Sequence, residues 1–212
     1  VSCPSGVIAF GRDIESSKQV WSSVEGYPGD FDYRDFYRDL GFDLPLNYVR
    51  PYIHPDGIRT YTGIKYYCVT GKTDDKMPYI REKAIARAAE HADNFILTRK
   101  QHIMSLTDKT DFSPVITAPY DAELFGHWWF EGPDWLNLLL RKISSDSKGT
   151  LRTTTASKYL KENSGFQTIS PSMSSWGHNG YNEVWLNASN NWVYRHLHKA
   201  VERMTELSEM FP

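Results

Sequence analysis

The chain has 212 residues, which at roughly 150 per domain is one domain with a sizeable core or part of a larger one. Lys and Arg number 24 against 26 Asp and Glu, a formal charge of −2; no long stretch carries one sign, which argues against a surface that tracks nucleic-acid phosphates. No apolar run approaches the roughly 18 residues of a membrane-spanning helix, and residues 1–10 lack a secretory leader, so no membrane partner is expected and the chain reads as soluble. Cys3 and Cys68 are far apart and have no Cys or His spaced beside them as zinc ligands. Neither a disulfide framework nor a metal site is indicated, and a reducing cytoplasm fits best.

Residues 7–10 are a short apolar run closed by Gly11, the pattern of a buried strand, followed by a polar loop over 12–18. Residues 26–39 open with a Pro-Gly turn, after which Tyr33, Phe36 and Tyr37 are spaced for one helical face. Residues 41–71, rich in Pro and Gly, read as an insertion, with a strand expected over 63–70. A long helix is expected from Ile80 through Ala84, Ala88, Ala92 and Phe95, extending to Leu106. The run PVITA at 114–118 reads as a short buried strand, and Gly132 and Pro133 open a helix whose apolar face is Trp135, Leu136, Leu139, Leu140 and Ile143. Residues 151–154 are a further strand candidate, with Thr155 capping a short helix through Glu162. Residues 172–191 read as a loop full of Trp, Asn and Gly, and a terminal helix carries Trp192, Val193, His196, Ala200, Val201, Met204 and Leu207 on one side. Strands alternating with helices predict an α/β fold, a parallel sheet or barrel whose functional residues gather on loops after the strands.

The compositional excess is aromatic, 14% of the chain, and several rings fall in segments rich in Gly, Asn and Ser where a core is not expected. Flat amphipathic rings on loops suit flat amphipathic ligands, sugars foremost. The densest constellation is residues 119–135, which holds Asp121, Glu123, His127, Trp128, Trp129 and Glu131 between a predicted strand and a predicted helix. Asp121 has a bland reading as a turn residue. A carboxyl hemmed in by indole rings, however, loses solvation, favours its protonated form and can serve as a general acid near neutral pH.

The segment TAPYDAELFGHWWFEGP at 117–133 resembles, nearly letter for letter, the motif that carries the acid/base aspartate of glycoside hydrolase family 57, specifically its 1,4-α-glucan branching enzymes. GVIAFGRDIESSKQVWSSVEGYPGD at 6–30, SSWGHNGYNEVWL at 174–186 and the helix WVYRHLHKAVERM at 192–204 resemble further segments of the same enzymes, in the same order. The resemblance implies part of a distorted parallel (β/α)7 barrel over residues 1–186, interrupted around 41–71, followed by the start of a C-terminal helical region over 187–212. It implies Asp121 as the general acid/base and Arg12, Trp21, Gly29, His127, Trp128, Trp176 and Trp185 around an α-1,4-glucan such as amylose or glycogen, with no metal or organic cofactor. Core packing fits Trp21 and Trp185 as well as sugar stacking does. Arg12 fits equally as a partner of Asp13 or Asp30, and His127 as a satisfied core histidine.

A retaining glycosidase needs two carboxylates about 5 to 5.5 Å apart. The family's nucleophile is a glutamate in a PECG-type motif, which does not occur here. Glu15, Glu123, Glu131 and Glu183 sit in no matching motif. The chain is therefore expected to resemble the middle part of a branching enzyme and to be inactive without the missing N- and C-terminal parts. A family 57 α-amylase or 4-α-glucanotransferase is the alternative within the family, and a non-catalytic glucan-binding or assembly module is the alternative outside catalysis.

Overall fold

A computed structural model describes residues 1–107, 109–110, 113–146, 149–175 and 177–211. The chain gathers into two compact units, Phe10–Phe166 and Val1–Ala9 with Gln167–Pro212.

In the larger unit, helix α1 (Ile14–Trp21) starts where the Asp13 carboxylate accepts the Ser16 N–H at 2.7 Å, an N-cap that satisfies one of the helix's orphan donors. Two short helices, α2 (Leu40–Asp43) and α3 (Leu46–Val49), lie in the Pro- and Gly-rich region. Helix α4 (Arg81–Thr107) realises the long helix expected from Ile80 to Leu106. Its buried residues Ala84, Ala88, Ala92 and Phe95 recur every three to four positions, so a smooth Ala stripe lets helix α5 (Gly132–Ser145) approach closely. Helix α5 inserts Trp135 and Leu139 into the core formed with Val20, Tyr27, Tyr33, Leu124 and Trp129. Full burial of Phe95 or Leu139 contributes about 1.5–3 kcal/mol each. Lys142 crosses the seam to Asp93 at 2.5 Å, and Lys100 reaches Asp146 at 2.6 Å. Helix α6 (Ala156–Glu162) begins with the expected cap, the Thr155 hydroxyl accepting the Lys158 N–H.

Three expectations change. Residues 12–18, expected as a polar loop, carry helix α1 from Ile14 onward, because the Asp13 side chain caps its first turn and Val20 is buried in the core. Residues 33–37 are not helical: Tyr33 is fully buried while Tyr37 is exposed, so the rings do not share a face. Arg34 pairs antiparallel with Cys68, and the Asp35 carboxylate accepts the N–H groups of Tyr37 and Arg38, which fixes a turn that no helical period encodes. The expected strands at 7–10, 63–70, 114–118 and 151–154 do not form named strands. Pairing among the described residues is limited to isolated bridges, among them the parallel Arg12–Thr117 bridge and antiparallel Tyr67–Pro78. A strand depends on a neighbour for its hydrogen bonds, and a parallel pair on a crossover far away in sequence.

The smaller unit joins residues 1–9 to residues 167–212, the end of the chain. Ser2 bridges Ile8 and Thr168, and its carbonyl accepts the Ile169 N–H at 2.9 Å. Helix α7 (Asn191–Met210) is the expected terminal helix; none of its residues is buried, and Trp192, Val193, Leu197, Val201 and Met204 are exposed. Among the described residues, no helix is long and apolar enough to cross a membrane.

Candidate functional site

The site grows from two loops anchored on α1 and α5. The first is the start of α1. The Asp13 N–H donates to the Thr117 carbonyl at 2.8 Å, and Arg12 bridges Thr117, so the end of the 114–118 segment is tied to the α1 cap. The buried Arg99 of α4 reaches Asp13 at 3.0 Å and Glu15 at 2.9 Å. Burial pushes the Asp13 carboxyl up, but the Ser16 hydrogen bonds and the Arg99 and His102 charges outweigh it and hold the group below its ordinary value.

The second loop is 121–131. Tyr120 donates its hydroxyl to the Ser16 carbonyl at 3.3 Å, which holds the chain against α1 just before Asp121. Asp121 then caps the short 3-10 turn Ala122–Leu124 through its carbonyl, which accepts the Leu124 N–H at 3.2 Å; its side chain makes no capping bond and is exposed. Beyond the turn, Gly126 takes φ of +89°, a left-handed conformation that favours glycine, and folds the chain back so that its N–H donates to the Trp129 carbonyl at 2.8 Å. Trp129 is thereby turned into the core, and Trp128 is left half exposed.

The carboxyl that burial strips of water in this motif is therefore Glu131, not Asp121. Glu131 is fully buried at the start of α5. One of its oxygens accepts the Arg34 N–H at 3.2 Å and the other has no hydrogen-bond partner. Burial raises its carboxyl above the ordinary value, opposed by Tyr79 and Arg34. A group so enclosed cannot meet a substrate, whereas Asp121 is open to one.

Beside the far end of α1 lies a cavity of about 290 Å³, lined by Trp21, Gly29, Phe36, Leu124 and Trp128, with Asp35 and Lys76 at its wall; neither Arg12 nor Asp121 is among its lining residues. Phe36 lies 4.3 Å from the Trp128 ring at 32°, and His127 meets Phe36 edge-on at 5.4 Å. Gly29 is there for close approach: a Cβ on it would stand 1.9 Å from the Ser23 carbonyl oxygen. Lys76 reaches Asp35 at 3.3 Å and donates to the carbonyls of Val69 and Gly71, so the charged part of the wall is already neutralised and pinned.

Of the residues singled out from the sequence, Trp21, Gly29 and Trp128 line one cavity, with His127 packed beside Phe36 at its wall. Arg12 and Asp121 lie on the two loops tied together through Thr117 and through Tyr120–Ser16. Trp185 lies in the smaller unit; it is exposed, its carbonyl accepts the Tyr194 hydroxyl, and its indole nitrogen would stand 3.3 Å from a Cβ on Gly177, where the Tyr181 carbonyl oxygen at 2.5 Å is the nearer obstacle. Trp176 falls outside the described residues. Sequence reasoning missed Phe36 and the Asp35–Lys76 pair as cavity residues. Their contacts cross to partners over 40 positions away in sequence or onto another loop, and no local period marks them. No group of three or more His, Cys, Asp or Glu among the described residues is placed to hold a metal ion.

No protein-family model matches the chain. It is 33% identical over 211 residues to a 1,4-alpha-glucan branching enzyme of Thermococcus kodakarensis, covering 98% of this chain and 28% of that protein. Among solved structures it resembles an alpha-amylase, AmyC, of Thermotoga maritima, with a TM-score of 0.78 and 43% identity over all of this chain and 39% of that one. It also resembles a GH57-type branching enzyme of Pyrococcus horikoshii, with a TM-score of 0.76 and 34% identity over 98% of this chain and 35% of that one. The chain thus spans between about a quarter and two fifths of the proteins it matches.

Proposed function

We propose, from the premise that this chain is homologous to a part of the glycoside hydrolase family 57 enzymes, that it is the acid/base-bearing portion of a 1,4-α-glucan branching enzyme. The observation that carries this reading is Asp121: exposed, at the head of the fixed Ala122–Leu124 turn whose Leu124, with Trp128 further along the same loop, lines a cavity walled by Trp21 and Phe36. In this proposal the loops of residues 10–30 and 119–131 stand at one end of a (β/α)7 barrel that the rest of the enzyme completes.

The chemistry is a double displacement. A glutamate on another segment attacks the anomeric carbon of the donor glucan while Asp121 gives its proton to the departing 4-oxygen. The carboxylate of Asp121 then takes the proton of an acceptor's 6-hydroxyl as that oxygen displaces the glutamate. The anomeric configuration is retained through two inversions, and an α-1,6 branch is left. Aromatic walls favour the acceptor over water by excluding solvent and holding the sugar in line. Glu131 does not replace the missing nucleophile, because it is enclosed beneath the loop. With one carboxylate of the pair, the chain alone cannot form the glycosyl-enzyme intermediate.

The greater identity to the Thermotoga alpha-amylase favours a second reading, hydrolysis of α-1,4 links by the same carboxylate pair. Incubating amylose with this chain joined to a segment that bears the glutamate motif, followed by proton NMR of the product, separates the two. New α-1,6 anomeric signals support branching. Shortened linear chains alone support the amylase reading, and unaltered amylose from a folded, complete enzyme refutes both.

A further inference from the structure

We propose that the aromatic cavity continues into a surface track on the 36–65 region, running Trp128, Phe36, Lys65, Tyr61, Phe42, that holds an α-1,4-glucan chain where it leaves the cavity. This rests on the glucan reading above and adds a binding site outside the residues that reading uses. A cavity of about 290 Å³ lies at the lower edge of the roughly 300–1,000 Å³ range of pockets that enclose a drug-sized ligand, so it takes only a short piece of a polymer. The polymer must run out over a surface.

The contacts specify which surface. Phe36 stacks at 4.3 Å on Trp128 inside the cavity. The Lys65 ammonium stands 5.5 Å from the Phe36 ring and 5.6 Å from the Tyr61 ring, and Tyr61 meets Phe42 at 4.8 Å. Tyr61 is 71% exposed, Trp128 47% and Phe42 45%, so three of the five positions offer a ring to solvent, with the part-buried Phe36 and Lys65 between them. The rings stand on a rigid base. The buried Asp39 carboxylate accepts the N–H groups of Gly41, Thr62 and Gly63 and the Thr62 hydroxyl. Arg59 donates to the carbonyls of Gly41, Phe42 and Leu44, and Lys65 donates to the Phe36 carbonyl at 2.7 Å. Rings held in place by the backbone around them lose little entropy on binding.

The chemistry favours a sugar over a second protein surface. A protein core laid over the track would enclose the Tyr61 hydroxyl, and an enclosed hydroxyl is costly without a partner. A glucan offers an apolar face to the ring and hydroxyls to the polar groups at its edge.

Isothermal titration of the full chain with maltotriose and with maltoheptaose tests this. The track predicts that maltoheptaose binds about tenfold more tightly, and that Tyr61→Ala combined with Phe42→Ala removes most of that difference while maltotriose affinity stays the same. Tyr61→Trp, which keeps a ring, preserves the difference. So does Tyr52→Ala, which removes an equally exposed ring off the track. Equal affinity for the two sugars, an unchanged preference in the double variant, or loss of maltotriose binding along with it overturns the track. If neither sugar binds the wild-type chain, the glucan reading fails first and the track fails with it.

Discussion

Two hollows in the larger unit differ in what lines them. The cavity at the far end of α1, bordered by Leu124 and Trp128 of the 121–131 loop, is walled by rings and by the charged side chains Arg34, Asp35 and Lys76, the last two paired with each other. A second hollow of about 580 Å³, between α4 and the 114–118 and 149–155 segments, is lined by Phe10, Phe95, Ile103, Val115, Ile116 and Leu151 together with Arg99, Arg152, Asn163 and Thr153, Thr154 and Thr155. Both hollows mix apolar and polar side chains, so polarity does not separate them. They differ in the shape of their side chains: the first sets the flat rings of Trp21, Phe36 and Trp128 together, and the second is built largely of branched aliphatic and threonine side chains. Flat rings suit the apolar face of a sugar, whereas branched side chains suit close packing.

Arg99 lines the second hollow and holds the N-cap of α1, the helix whose last residue, Trp21, lines the first, so it offers the strongest way to break the contrast. Arg99→Ala leaves the part-buried Asp13 carboxylate without its closest cation. A loss of about 3–5 kcal/mol in urea unfolding is expected, with both hollows collapsing together. Asp39→Ala acts on the sugar side alone. It deprives four donors of their acceptor and is expected to cost about 2–3 kcal/mol while leaving the α4–α5 core intact by near-UV circular dichroism. Trp128→Ala sharpens the comparison further: a half-exposed ring contributes little to folding, so maltotriose binding should weaken about tenfold, or about 1.4 kcal/mol, with stability nearly unchanged.

The smallest effect is a pH dependence. Glu131 has its proton held more tightly in the folded state than in the unfolded one. Its contribution favours the fold below the ordinary carboxylate range and is lost as pH rises through the raised folded value. Glu131→Gln, which keeps an acceptor for the Arg34 N–H, should remove that decline and stabilise the chain near neutral pH, read as a flatter plot of unfolding midpoint against pH. Asp13 runs the other way. Its lowered value stabilises the fold above the ordinary range and is lost as pH falls through the folded value, so acid unfolding persists in the Glu131→Gln variant.

Helices α4 to α7 were legible because their signals are local, whereas the start of α1 reads as part of a loop and the single turns α2 and α3 are not among the expected elements. The Ala84–Ala88–Ala92 period, the Pro133 start of α5 and the Thr155 cap each lie within a few residues. Strands were not, because residues 7–10 and 114–118 carry the right composition while their ladders depend on distant partners. The helix expected around Tyr33 failed for a related reason. Asp35 satisfies its own following N–H groups, and a turn stabilised by one carboxylate overrides a three-residue period. In the candidate site, motif resemblance drew attention to Trp21, Gly29 and Trp128. Phe36 came to light only when the fold laid it on Trp128. The carboxyl that this loop buries is Glu131 and not Asp121, a difference that composition does not carry because it depends on how the chain folds back at Gly126 before α5.

The most direct measurement is the rate of α-1,6 linkage formation on amylose by the complete enzyme containing this segment, compared between wild type and Asp121→Asn. With Asp121 as acid/base, the Asn variant, which keeps the shape and loses the proton, should fall by at least about 100-fold, the low end of what a positioned acid/base contributes, while still binding maltotriose. Branching at the wild-type rate by a folded Asp121→Asn enzyme would remove Asp121 from the mechanism.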